Sequence, residues 1–186
     1  DVMLIFVTGG VRSGKSSFAE KLAIERSKTR HIHYVATSLP SDNEMRERIH
    51  RHQARRNESA FQWTTWEVGA DIEHLHRRVT DHHVMLLDCL TTLVNQTLFH
   101  FDGDNYTLLN ASERCRLFHT LLNELDCLQH NRTLIVVSNE IFYDMASFSY
   151  SSTFVYAEIL GKLHQAIVKK ANEVYLCENG IPLRMK

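Results

Sequence analysis

The chain has 186 residues, 44% of them hydrophobic and 23% charged, proportions that exclude a disordered or fibrous protein and suit one sizeable core. Its 21 Lys and Arg stand against 22 Asp and Glu, a net charge of -1, so no global field draws it onto nucleic acid or an anionic membrane. The longest apolar runs, such as Val84-Met85-Leu86-Leu87, fall far short of the ~20 residues of a membrane span.

In chain order, the apolar run 3–8 predicts a buried strand, and 15–26 a helix with Phe18 and Leu22 inward. A second strand is expected over 33–37. The highly charged stretch 43–56 reads as helix and the Trp/Thr-rich stretch 62–68 as strand. A third apolar strand at 83–88 and a fourth at 133–138 alternate with helices over 90–99 and 112–129. A long helix over 154–170 leads to strands at 173–177 and 182–185. Strands alternating with helices predict βαβ units around a mainly parallel sheet covered on both faces. No Pro/Gly-rich linker divides the chain, so one domain over 1–186 is expected. The four cysteines, Cys89, Cys115, Cys127 and Cys177, form no CxxC pair. Together with a glycine motif by residue 9, which leaves no room for a signal peptide, they predict a reduced, cytoplasmic setting.

That motif is Gly9-Gly10-Val11-Arg12-Ser13-Gly14-Lys15-Ser16, a G-x-x-x-x-G-K-[ST] run between the first strand and the first helix. Glycines let backbone N–H groups curl around phosphate oxygens, and the following helix adds roughly +0.5 charge at its N-terminus. Lys15 is expected at the β/γ-phosphates and the Ser16 hydroxyl on Mg²⁺. Asp88, a carboxylate at the end of an apolar strand, is expected on the metal side; the structural alternative is a helix N-cap.

Residues 44–56 hold five arginines and two histidines, His50 and His52. One reading is a solvated helix face with Glu/Arg pairs. The other is a phosphate-binding patch, because guanidinium pairs with phosphate through two hydrogen bonds. A histidine there suits attack on phosphorus, since imidazole, with a reference pKa of ~6.5, is largely neutral near pH 7.

Ordered blocks give the chain a resemblance to the bifunctional adenosylcobinamide kinase/adenosylcobinamide-phosphate guanylyltransferases of cobalamin biosynthesis. They are the phosphate loop, Tyr34-Val35-Ala36-Thr37-Ser38, Arg48-Ile49-x-x-His52-x-x-x-Arg56, a stretch ending in Glu67, Leu87-Asp88-Cys89-Leu90-Thr91-Thr92 and Val137-Ser138-Asn139-Glu140. Gly161-Lys162-Leu163-His164-Gln165 and Gly180 to Lys186 extend it over essentially the whole chain. The resemblance implies an α/β, P-loop NTPase-like three-layer sandwich. It also implies phosphorylation of adenosylcobinamide by a nucleoside triphosphate, ATP or GTP, and then GMP transfer from GTP through an enzyme histidine. His52 falls on that histidine, with His50 its neighbour if the register shifts. Ala36, Thr37 and Ser38 are implied to contact nucleotide, and Arg55, Arg56 and Glu67 to serve guanylate. Mg²⁺, a corrinoid substrate and a homotrimer complete the implied picture.

The chain departs from the family over 141–158, which lacks the Gly, Pro and Arg usual there: Ala157 stands at an arginine position, and His164 replaces an asparagine. The aromatics of that segment, Phe142 to Tyr156, are candidates for the corrin ring or for core and interface. Competing readings are a P-loop small-molecule kinase without histidine chemistry and a GTP-binding regulatory or assembly protein. Nine further histidines show no spacing that asks for a metal and read as surface or packing residues.

Overall fold

The computed structural model describes residues 2–37, 46, 50, 53–58, 60–102, 109–140 and 150–186. Their strands form one seven-stranded sheet. In chain order these are β1 (Leu4–Gly9), β2 (His31–Ala36), β3 (Gln62–Glu67), β4 (Val84–Asp88), β5 (Thr133–Asn139), β6 (Glu173–Glu178) and β7 (Ile181–Arg184). The helices are α1 (Lys15–Arg26), α2 (Leu90–Asp102), α3 (Ala111–Gln129) and α4 (Tyr150–Lys170). A 3-10 segment at Glu73–Arg77 was not foreseen from the sequence. Strand order is β3-β2-β4-β5-β1-β6-β7, all parallel except β7, which runs antiparallel to β6.

The central strands β1, β4 and β5 are apolar almost throughout because helices cover them on both sides. Alternate residues divide between the faces. Leu4, Phe6, Met85, Leu87, Leu134 and Val136 pack with α2, α3 and α4. Ile5, Val7, Ile32, Leu86 and Ile135 pack with Ala19, Leu22 and Ala23 of α1. The arrangement is an α/β three-layer sandwich. No described helix is long and apolar enough to cross a membrane.

Element ends moved by a few residues. β1 runs one residue past the expected end, to Gly9, and β2 starts earlier, at His31. The largest shift is in α4, which begins at Tyr150 rather than near Phe154. α3 starts cleanly because Asn110 and Glu113 form a reciprocal capping box, each side chain accepting the other's backbone N–H at 2.9 Å. Of the expected charged helix, residues 46, 50 and 53–57 are described and helical.

The parallel register brings the strand ends to one edge. Glu67 pairs with Ala36, Ala36 with Asp88, Asp88 with Val137, and Gly9 with both Asn139 and Cys177. Crevices at the carboxyl ends of parallel strands are where open α/β sheets bind ligands, and this edge holds most of the described candidate residues.

Candidate functional site

The phosphate loop leaves β1 at a point where a side chain has no space. A Cβ on Gly9 would lie 2.6 Å from the Cys177 carbonyl oxygen and 2.5 Å from Ser13 Oγ. The loop then turns through two left-handed residues, Arg12 (φ 58°) and Gly14 (φ 85°). The Ser13 N–H donates to the Gly10 carbonyl at 3.3 Å, and Phe18 opens α1 by donating to the Gly14 carbonyl at 3.0 Å. A helix leaves its first amides without intrahelical partners, and here they face the loop, as an anion site requires. Lys15 Nζ folds back to the Gly10 carbonyl at 3.0 Å. Ser13 Oγ is buried with no hydrogen-bond partner among the described residues. Beside the loop lies a hollow of ≈ 300 Å³ lined by Gly10, Arg12, Ser13, Glu140, Glu178 and Asn179.

Asp88 ends β4 directly across from the start of α1. Its Oδ1 accepts from Ser16 Oγ at 3.5 Å, and its Oδ2 accepts from the Tyr34 hydroxyl at 2.6 Å. Hydroxyl and carboxylate oxygens are the hard donors that Mg²⁺ takes, and their convergence beside the loop's buried orphan oxygen fits such an ion. Burial, and then the adjacent Asp88 carboxylate, push the Tyr34 phenol well above its usual pKa of 10. Tyr34 therefore stays protonated and holds Asp88 in a single orientation.

Arg56 closes this chain of contacts from the other side. It is buried, with its guanidinium carbon 3.8 Å from the centre of the Tyr34 ring. Its Nε lies 3.7 Å from Glu20 Oε1 on α1, and its Nη1 is 3.4 Å from Thr65 Oγ1. Arg55 is exposed, and both arginines line a cleft of ≈ 180 Å³ with Glu20, Lys21 and Trp63. Glu67 stands exposed at the end of β3, next to Ala36.

Thr37 is fully buried. Its Oγ1 accepts the Cys89 N–H at 2.8 Å and lies 2.7 Å from Thr92 Oγ1, and its carbonyl accepts from Gln96 Nε2. It thus pins the end of β2 to the junction where Asp88 turns into α2. His50 is exposed on its helical segment. His52 and Ser38 lie outside the described residues, as does 141–149. Ala157 is half-buried on α4, and the neighbouring Glu158 pairs with Arg114 at 2.6 Å. His164 accepts or donates a 2.7 Å hydrogen bond with Ser138 Oγ at the end of β5, with Phe6 edge-on at 5.1 Å.

Reading along the chain found the loop, Asp88 and Arg56. It did not single out Glu20, which the α1 pattern gives as an ordinary charge, nor the support that Tyr34 lends to Asp88. It also dispersed three histidines, His31, His33 and His83, that the fold assembles within 4.8 Å. The available signal was the His-x-His spacing on one face of β2.

Residues 5–185 match the family described as cobinamide kinase / cobinamide phosphate guanyltransferase. The chain is 31% identical to the bifunctional adenosylcobalamin biosynthesis protein CobU of Escherichia coli, over 99% of this chain and 100% of that one. It is 30% identical to the CobU of Salmonella typhimurium over the same shares, and 31% identical to CobP of Pseudomonas aeruginosa over 97% and 95%. Among solved structures, an ATPase from the type III secretion system of pathogenic bacteria superposes with a TM-score of 0.54 at 11% identity. That match covers 98% of this chain and 56% of the other, and what the two share is the fold.

Proposed function

This chain belongs to the cobinamide kinase / cobinamide phosphate guanyltransferase family, and from that premise we propose that it carries out both transfers in cobalamin biosynthesis as one domain over 1–186. The observation that carries the reading is the convergence of Ser16 and Asp88 on a phosphate loop in a chain that matches the family from end to end.

In the kinase step the loop amides and Lys15 hold the triphosphate of ATP or GTP. Ser16 and Asp88 would hold Mg²⁺, which would supply neutralisation of the phosphate charge. Tyr34 keeps the Asp88 carboxylate in place, and Arg56 is itself kept in place by stacking on Tyr34. The aminopropanol hydroxyl of adenosylcobinamide then attacks the γ-phosphorus, the bond to the β–γ bridging oxygen breaks, ADP or GDP leaves, and the hydroxyl proton passes to solvent. In the guanylyl step the neutral imidazole of His52 attacks the α-phosphorus of GTP and pyrophosphate leaves. An oxygen of the substrate phosphate next attacks the resulting phosphoramidate, which frees His52 and yields adenosylcobinamide-GDP. Two displacements through a covalent intermediate replace one difficult transfer. Arg55, Arg56 and Glu67 serve the guanylate, with Ala36 to Ser38 along the nucleotide. A homotrimer working in the cytoplasm accompanies this reading.

The test is incubation with GTP and Mg²⁺ followed by intact-mass analysis. The expected result is a GMP adduct on the wild type and none on His52→Ala, with the adduct retained in His50→Ala. An adduct that survives His52→Ala removes His52 as the nucleophile. No adduct on the wild type favours a kinase or regulatory protein without histidine chemistry.

A further inference from the structure

The three gathered histidines sit at the end of the sheet opposite the phosphate loop. His31 and His33 share one face of β2, and His83 immediately precedes β4, beside His31 in the register that pairs Ile32 with Val84. His83 is five residues before Asp88, about 16 Å along a strand at ~3.3 Å per residue, so the cluster is separate from the nucleotide site. His33 Nε2 and His83 Nδ1 are 3.0 Å apart. The His31 ring stacks on His33 with centroids 4.5 Å apart and lies 4.6 Å from His83. His33 is buried while His31 and His83 are half-buried, which leaves a solvent path into the cluster.

We propose that His31, His33 and His83 form a binding site for a divalent transition-metal ion of the zinc class, with a fourth coordination position open to solvent. Neutral imidazole nitrogens are the usual ligands of such ions. Zn–N bonds of about 2.0–2.1 Å place tetrahedral ligand nitrogens about 3.3 Å apart. The His33–His83 pair therefore opens by a few tenths of an ångström, and His31 closes on it by side-chain rotation. Thr64 Oγ1, 2.8 Å from His31 Nε2, orients that ring. The neighbouring Arg132 spends its charge on Asp81 at 3.2 Å and on the carbonyls of His76 and Val79.

Trp66 opposes the ion. Its indole N–H donates to His33 Nδ1 at 3.0 Å, which fixes the ring proton on Nε2, pointed at His83. Ligation through Nε2 moves that proton to Nδ1 and breaks the indole hydrogen bond. Without the indole donor the metal-binding tautomer forms freely, so Trp66→Phe binds metal more tightly than the wild type.

The experiment titrates chelator-treated protein with Zn²⁺ alone by calorimetry, and with Co²⁺ by visible absorption. One equivalent is expected with micromolar or tighter affinity, weakened at least about 100-fold in His33→Ala and in His83→Ala, since each loses one of three ligands. Trp66→Phe tightens it about 10-fold, the scale at which outer partners tune affinity. Zn²⁺ raises the Tm of the wild type and not that of His83→Ala. Mg²⁺·GTP binding is unchanged in His83→Ala, so failure here is distinguishable from failure of the nucleotide reading. Absence of saturable binding, an equivalent retained in both alanine variants, or a thiolate charge-transfer band in the wild-type Co²⁺ spectrum overturns the site. The last readout needs no variant to fold.

Discussion

His164, which the resemblance sets at an asparagine position, lies between Ser138 and Phe6 under the end of β5. An asparagine there offers hydrogen bonds at any pH, whereas an imidazole must remain uncharged to stay in place. Burial lowers the His164 pKa from 6.5 to about 4. The unfolded chain therefore binds a proton on this residue between those values and the folded chain does not. Stability is full above pH 6.5 and falls as pH drops toward 4. The loss on this one residue is on the order of 2 kcal/mol by pH 4.5. His33, with a similar displacement, adds a second contribution in the same window. His164→Asn is expected to match the wild type near pH 7.5 and to be more stable than it at pH 4.5, measured by urea unfolding at both pH values. Identical pH dependence in the two proteins contradicts the account. The exchange was visible in the sequence as a departure from a motif, but its consequence depends on which side of the sheet α4 covers.

Helix α3 presents Leu117, Leu121, Leu125 and Leu128 to the core, spaced three and four apart as one face of a helix requires. Its start was read at residue 112, without the Asn110–Glu113 capping box that sets it at Ala111. Glu124 was not legible as unusual. It lies on the flank of that stripe, with Oε2 buried and unpartnered among the described residues. Asp71 and Glu73, near the 3-10 segment, belong to a different stretch of chain. Burial first, and those two carboxylates second, raise its pKa from 4.5 to about 7. A carboxyl group raised in this way contributes stability below pH 4.5 that is lost as pH rises through 7. Glu124→Gln keeps the shape and removes the charge. It is expected to stabilise the protein at pH 8 by on the order of 2 kcal/mol, with little effect at pH 4.5, read as Tm against pH. A variant less stable than the wild type at pH 8 shows instead that Glu124 has an ionic partner in solution.

For the molecule as a whole, what was legible in the sequence lay in single runs of chain. The phosphate loop is eight consecutive residues, and β4 is four apolar residues and a carboxylate, so local pattern contained them. Contacts that join distant segments left no such trace: Arg56 on Tyr34, the approach of His83 to the His31–His33 pair, and the packing of the β6–β7 hairpin on the loop. In that hairpin the Gly180 N–H donates to the Ser13 carbonyl at 2.8 Å, and a Cβ on Gly14 would lie 3.1 Å from the Gly180 Cα. The last described strand thus braces the loop formed by the first. Around it, the Met185 N–H bonds the Val174 carbonyl at 2.7 Å, and Lys186 Nζ donates to the carbonyls of Val168 and Lys169 at the end of α4. Truncation after Glu178 removes the brace and leaves every loop residue in place. GTP affinity is expected to fall about 10-fold, the equivalent of one lost hydrogen bond of about 1.4 kcal/mol, when measured well below the lowered Tm. Gly180→Asn is the control. Asparagine tolerates the left-handed conformation required by φ 77°, keeps the donating amide, and meets nothing within 4 Å of its Cβ. That variant is expected to bind GTP within about twofold of the wild type. A truncated protein that melts earlier but binds GTP normally shows that the hairpin supports the sheet and not the loop.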